Sequence, residues 1–229
     1  MRIPPNTWHG LRVISETNCI IKETISGPYS SESLAWADFA PSENENKSNN
    51  SGFKYYEELG SRENSKSNKS RSSSLLRIND NVLLSTNQIP TISKNDCIIL
   101  RDMADKSLLK RARICLHSSN TDQLQDMLIY LGPECDIDIS YHINKDESLV
   151  VMQGNGSYNF YDNEGNVCAT VNLQNFESMT DETACFARIN RFVPHKILPG
   201  EDGIMIYETT SGPFDKNDTA YRLKNVKGI

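Results

Sequence analysis

The residues of this chain whose types and spacing could do chemistry begin with His142 and Glu147, in "HINKDESLVVMQGNG" (His142–Gly156). The short turn "INKD" separates them, and strands on either side of such a turn can return both side chains to one region of a barrel interior. A lone histidine in a strand is more often a satisfied core or surface residue, and a turn glutamate is more often solvated. The pair becomes a metal half-site only if a further ligand joins it. His195, in "RFVPHKILPG", is the candidate, provided its strand lines the same interior. Two imidazoles and one carboxylate with open positions suit divalent iron, and equally manganese, nickel or zinc.

Something must hold these residues together, and the composition allows it. The chain has 229 residues, 37% hydrophobic and 24% charged, enough for one generous domain or two small ones with a real core. A net charge of -6 argues against nucleic acid as a partner. The apolar runs are far too short to span a bilayer, so no membrane partner is expected. The N-terminus "MRIPPNTWHG" has no apolar signal region, which points to the cytoplasm. The six cysteines lie singly, with no C-x-x-C pair, and read as reduced thiols; Cys168 and Cys185 suit a barrel core.

From Ser42 to about Ser74 the chain is Ser, Asn, Lys and Glu with little apolar content beyond "FKYYEEL", the signature of a flexible linker. The expected organisation is therefore a short piece over 1–41, a linker over 42–75, and a main domain over 76–229. The outer two share an internal repeat. "RIPPNTWHGLRVISETNCIIKETISGPY" aligns with "RINRFVPHKILPGEDGIMIYETTSGPF", placing His9 on His195 and Glu23 on Glu208. In the main domain "MLIYL", "DIDISYHI", "SLVVMQG", "SYNFYD", "VCATVNL", "CFARI" and "GIMIYET" read as short strands. "GPE", "NKD", "GNG", "DNEGN" and "LPGEDG" read as the turns between them. This predicts an all-β sandwich or barrel. Helix is expected near "DKSLLKRA", with a turn of helix in "YYEEL".

The spacing His142, Glu147, Gly154, followed by Pro194-His195, resembles the two motifs of the cupin superfamily. More closely, "RARICLHSSNTDQLQDMLIYLGPECDIDISYHINKDESLVVMQGNGSYNFYDNEGNV" with "ETTSGPF" resembles the WbuC-type cupin metalloproteins encoded with bacterial surface-polysaccharide genes. The resemblance covers about 80–222 and again about 1–41. It implies a double-stranded β-helix (a jelly-roll barrel), with 1–41 holding only the last strands of a second unit. It also implies one divalent metal (Fe, Mn, Ni or Zn) on His142, Glu147 and His195. Such cupins carry His-x-His before the glutamate; here Ser140 replaces the first histidine, which weakens the metal site. His117, in "ICLHS", matches the family's "LH" and is placed near the pocket mouth or, equally, as a strand-end histidine bonded to backbone. Arg188 and Tyr207 are candidate contacts to an anionic or sugar ligand, although an outward salt bridge suits Arg188 better.

The function expected on this resemblance is that of a metal-binding cupin of O-antigen-type polysaccharide or nucleotide-sugar metabolism, acting on a small sugar-like ligand. If it is an enzyme, metal-assisted isomerisation or epimerisation is the implied reaction. The competing readings are a degenerate, non-catalytic cupin used as a binding module and, more weakly, an Fe(II)-dependent dioxygenase. "CIIKETI" cannot stand alone, so it is expected against an edge or face of the barrel, in the same chain or across a homodimer.

Overall fold

The computed structural model describes residues 21–25 and 74–221, all within one compact unit. The strands are β1 (Leu75–Asn79), β2 (Val82–Ser85), β3 (Arg111–Cys115), β4 (Leu124–Leu131), β5 (Ser140–His142), β6 (Glu147–Tyr161), β7 (Val167–Gln174), β8 (Phe186–Ile189), β9 (His195–Ser211) and β10 (Thr219–Tyr221). Among the described residues one α-helix, α1 (Lys94–Lys106), lies between β2 and β3. The expected all-β barrel class is what the chain adopts. Strand order runs β1-β2-β3-β4-β9-β5-β10, while β6 pairs with β7, β8 and β9.

The two long strands organise the rest. β9 pairs with β4 along one edge and with β6 along the other, with β5 joining at His195. Because side chains alternate along a strand, the register sorts residues onto two faces. Met127, Glu208 and Leu149 stand opposite one another on β4, β9 and β6, and Gln125, Thr210 and Glu147 form the next row. This face is the barrel interior. Its apolar part contains Leu131, Leu149, Val151, Tyr158, Leu173, Ile189, Ile197, Ile204 and Ile206. The opposite face carries Leu128, Tyr130 and Met205, which pack with Leu83, Ala112 and Ile114 under Leu100, Met103 and Ala104 of α1.

Two sequence expectations are corrected here. "GNG" and "LPGEDG" are not turns between strands; both lie inside continuous strands, β6 and β9. The β6–β9 ladder absorbs them as register shifts at Val151/Gln153 and Gly154/Gly156. Gly154 and Gly203 both have positive φ (80° and 76°), and a Cβ on Gly154 would collide with the Gly203 carbonyl oxygen. Glycine here permits a bend and a close approach, not a chain reversal. "DNEGN", by contrast, is the hairpin the sequence suggests, between β6 and β7, with Asp162 Oδ1 accepting from Glu164 and Asn166 amides.

The helix also starts earlier than expected. "DKSLLKRA" (105–112) holds only its last residues, a turn and the start of β3. The helix begins at a capping box: Ser93 Oγ accepts from the Asp96 amide, and Asp96 Oδ2 accepts from the Ser93 amide at 2.7 Å. Its buried side is Asp96, Leu100, Met103 and Ala104, one helical stripe.

Five cysteines among the described residues are free thiols, as expected, but Cys168 is exposed and Cys185 half-buried; the buried ones are Cys115 and Cys135. The 1–41 unit, which holds the first copy of the internal repeat, and the linker lie almost wholly outside the described residues. Residues 21–25 carry no regular secondary structure, whereas their counterpart in the repeat, 206–210, is strand. Lys22 nevertheless reaches the outer face of the barrel. Its Nζ donates to Ser148 Oγ at 3.0 Å and lies 5.6 and 5.7 Å from the Phe186 and Tyr207 ring centroids. This side-chain contact is what the described residues hold of the expected docking; the rest of 1–41 lies outside them.

Candidate metal centre

His142 ends β5, Glu147 begins β6 and His195 begins β9. The turn Ile143–Asp146 lets β5 and β6 present both side chains to the barrel, and β5 meets β9 at the pair Ser140–His195. One ligating atom from each of His142, Glu147 and His195 lies within 4.8 Å of the others. The three side chains are 13%, 5% and 7% exposed. His142 Nε2 donates to Glu147 Oε2 at 2.9 Å, and His195 Nε2 is 3.6 Å from Glu147 Oε1. Donors about 2.1 Å from a common ion sit roughly 3 to 4.2 Å apart, close to the two separations from Glu147.

The surroundings fit it too. His195 Nδ1 donates to the Val193 carbonyl oxygen at 2.8 Å, which turns Nε2 toward Glu147. His142 is steadied from behind by Thr219 Oγ1, 3.2 Å from Nδ1. Tyr158 Oη donates to Glu147 Oε1 at 2.5 Å, and the Tyr158 ring meets His195 edge-on at 5.4 Å. Burial alone would raise the Glu147 carboxyl, but the His142 hydrogen bond, the His195 charge and the Tyr158 hydroxyl together hold it below the usual range. Burial, then the Glu147 and Glu208 charges, push the Tyr158 phenol well above its ordinary value.

Ser140 is two residues before His142 on β5 and therefore shares its face. The remaining sequence candidates stand elsewhere. Arg188 lies opposite Ser148, on the outer face, and donates to Asp146 Oδ2 at 3.1 Å: the outward salt bridge. Tyr207 is opposite Leu128 and packs on the α1 side of the sheet. His117 is buried, with Nδ1 3.0 Å from the Asp126 carbonyl oxygen, as the strand-end reading has it.

Sequence reasoning passed over Tyr158, Glu208, Lys145 and Asp218. Glu208 faces the interior one row from Glu147; burial, then the Glu147 charge, push its carboxyl up to about 8, against opposing pulls from Lys145 and Arg113. Lys145, in the turn between His142 and Glu147, is only 13% exposed. Asp218 sits behind His142, with Oδ2 3.9 Å from Nδ1. A signal was available for Glu208, the central residue of "IYETT", because strand alternation from Ile204 and Ile206 carries it inward.

Residues 92–173 match the family model described as a domain of unknown function (DUF6016). No curated protein matches the chain. Among solved structures, the capsular polysaccharide assembling protein CapF of Staphylococcus aureus is similar at 18% identity and a TM-score of 0.37, over 44% of this chain and 27% of that one. Bacillus subtilis oxalate decarboxylase is similar at 17% identity and a TM-score of 0.36, over 44% and 24%. A structure described under the DMSP lyases RdDddP and RnDddQII is similar at 16% identity and a TM-score of 0.38, over 50% and 53%. The chain thus spans about a quarter of the first two and about half of the third.

Proposed function

We propose that this protein binds one divalent metal ion through His142 Nε2, Glu147 and His195 Nε2, and presents it to a small polar ligand in the barrel. The observation that supports this is the convergence of three buried ligating atoms within 4.8 Å, from three strands. A bound ion would supply Lewis acidity toward a ligand hydroxyl or carbonyl oxygen. The protein's part is to fix the donors: Val193 sets the tautomer of His195, Tyr158 orients Glu147, and Thr219 braces His142. Surface-polysaccharide or nucleotide-sugar metabolism is the setting we propose, on the sequence resemblance alone, and the cytoplasm as its place. Among the described residues no helix is long and apolar enough to cross a membrane.

The test is elemental analysis of the full chain after supplementation with iron, manganese, nickel and zinc. About one equivalent of metal, lost in His142→Ala and in Glu147→Gln, is expected. Absence of metal under every supplement would overturn the proposal. A second reading is a barrel that has kept its shape and lost its chemistry; Ser140 on the ligand face favours it, since a hydroxyl is a poor metal ligand. Folded protein that takes up no metal under any supplement would support that reading.

A further inference from the structure

His142 has two ring nitrogens, and the metal reading uses one of them. Nε2 faces Glu147 Oε2 at 2.9 Å. Nδ1 faces the other way, toward Thr219 Oγ1 at 3.2 Å and Asp218 Oδ2 at 3.9 Å. The β5–β10 ladder sets this arrangement: Thr219 is the register partner of His142, and Asp218 comes just before it.

Asp218 is tied to the turn that carries His142 to Glu147. Its Oδ1 accepts from the Asn144 amide at 2.6 Å, and its carbonyl oxygen accepts from the Ile143 amide at 3.0 Å. Its own amide donates to the Asp215 carbonyl oxygen at 3.1 Å. The second carboxylate oxygen is different. Oδ2 is buried and has no hydrogen-bond donor among the described residues. Lys145 Nζ, at 3.8 Å, and His142 Nδ1, at 3.9 Å, are both just out of reach. Buried carboxylate oxygens are nearly always bonded, because burial strips the hydration they would otherwise have. A spare acceptor directly behind a candidate metal ligand therefore calls for a donor.

The orphaned oxygen gains one when His142 takes the ligating tautomer. With Nε2 donating to Glu147, Nδ1 carries no proton and accepts from the Thr219 hydroxyl. An imidazole that ligates through Nε2 carries its proton on Nδ1 instead. The proton changes nitrogen while the ring stays neutral. Nδ1 is then a donor, and the buried oxygen it faces lies about 1 Å beyond hydrogen-bond distance. His195 already makes the equivalent bond, from Nδ1 to the Val193 carbonyl oxygen at 2.8 Å.

We infer that Asp218 is a positioning residue of the metal site: its Oδ2 accepts the Nδ1 proton of His142 and so favours the tautomer that offers Nε2 as a ligand. The inference rests on the metal reading above and adds to it the group that selects the form of one ligand. Metal-bound imidazoles are commonly backed by a carboxylate in this way.

The experiment is zinc titration of the full chain against a competing chelator, in the parent and in Asp218→Asn, beside urea unfolding of both without metal. Asparagine keeps an acceptor for the Asn144 amide and turns an N–H toward Nδ1, which holds the imidazole in the other tautomer. Zinc affinity should fall by about 10- to 100-fold. The metal-free unfolding midpoint should stay the same or rise, because the orphaned oxygen is gone. A purely structural Asp218 would lower both. Equal zinc affinity in the variant, or a loss of affinity matched by a loss of metal-free stability, would overturn the inference and leave the metal reading standing. If the variant does not fold, NMR of the ring nitrogens in the parent decides. Zinc loading should give a His142 Nδ1 proton that exchanges slowly and lies far downfield, as a carboxylate-bonded one does; a rapidly exchanging proton there overturns the inference. A parent chain that takes up no zinc or other supplemented metal overturns the metal reading and this inference with it.

Discussion

Tyr158 and Glu147 lie on the same strand, eleven residues apart, yet the Tyr158 hydroxyl donates to Glu147 Oε1 at 2.5 Å. A straight strand would hold them more than about 30 Å apart at about 3.3 Å per residue. The bulges around Gly154 bend β6 back over the barrel so that its two halves share one interior. The strand that supplies the carboxylate also supplies the group that orients it.

Tyr158→Phe removes that hydroxyl and keeps the ring against His195. Metal affinity should fall by about 10- to 100-fold, the usual effect of losing a group that orients a ligand. Competition with a chelator measures it. Unchanged retention would show that Glu147 holds its position without Tyr158.

Gly154→Ala tests the bend itself. The added Cβ meets the Gly203 carbonyl oxygen, and the residue must keep φ near +80°. A loss of about 1–3 kcal/mol in urea unfolding is expected, with metal affinity reduced in parallel because β6 carries Glu147 at one end and Tyr158 beyond the bend. Full stability in the variant would mean the bulge tolerates a side chain and the bend has another cause.

Ser140→His should strengthen metal retention. Position 140 shares a face with His142 and stands opposite His195 in the β5–β9 pair, so an imidazole there adds a fourth donor. Slower metal loss to a chelator than in the parent chain is expected. Equal or faster loss would place the 140 side chain away from the ion.

The strands and their alternation were legible in the period-two apolar runs, and the three candidate ligands in the turn between His142 and Glu147 and in the family resemblance that joins them to Pro194-His195. What was not legible depends on how strands bend and pair. "GNG" reads as a turn because glycines and asparagine favour one, and only the β6–β9 ladder turns it into a bulge. The start of the Lys94–Lys106 helix was missed although it carries a local signal, the Ser93–Asp96 capping box, with Ser93 exposed and Asp96 buried. Tyr207 and Glu208 are adjacent, and the sequence alone does not tell which of the two faces the interior, since the face is set by the register against Leu128 and Met127.

Glu208→Gln should change how stability depends on pH in the metal-free protein. Glu208 is half-buried by surface area but so enclosed that desolvation is the largest influence on it, followed by repulsion from Glu147; its carboxyl is pushed up from 4.5 to about 8. The folded state therefore holds this proton more tightly than the unfolded chain does. Below pH about 4.5 the group is protonated in both states and has no effect. As pH rises from about 4.5 to about 8 the unfolded chain releases the proton first, so Glu208 progressively favours unfolding; above about 8 the penalty is constant. The parent chain should thus lose stability relative to Glu208→Gln across that window, by an amount on the order of 2–4 kcal/mol at about pH 9, since a tenfold change in proton affinity corresponds to about 1.4 kcal/mol and the Glu147 charge shares part of it. Urea unfolding of both proteins at intervals from about pH 5 to about pH 9, with chelator present, measures the difference. Two curves that stay parallel over the whole range would show that Glu208 releases its proton as an ordinary carboxyl does. A bound cation would lower this carboxyl again, so the same series with metal present should show a smaller difference between the two proteins.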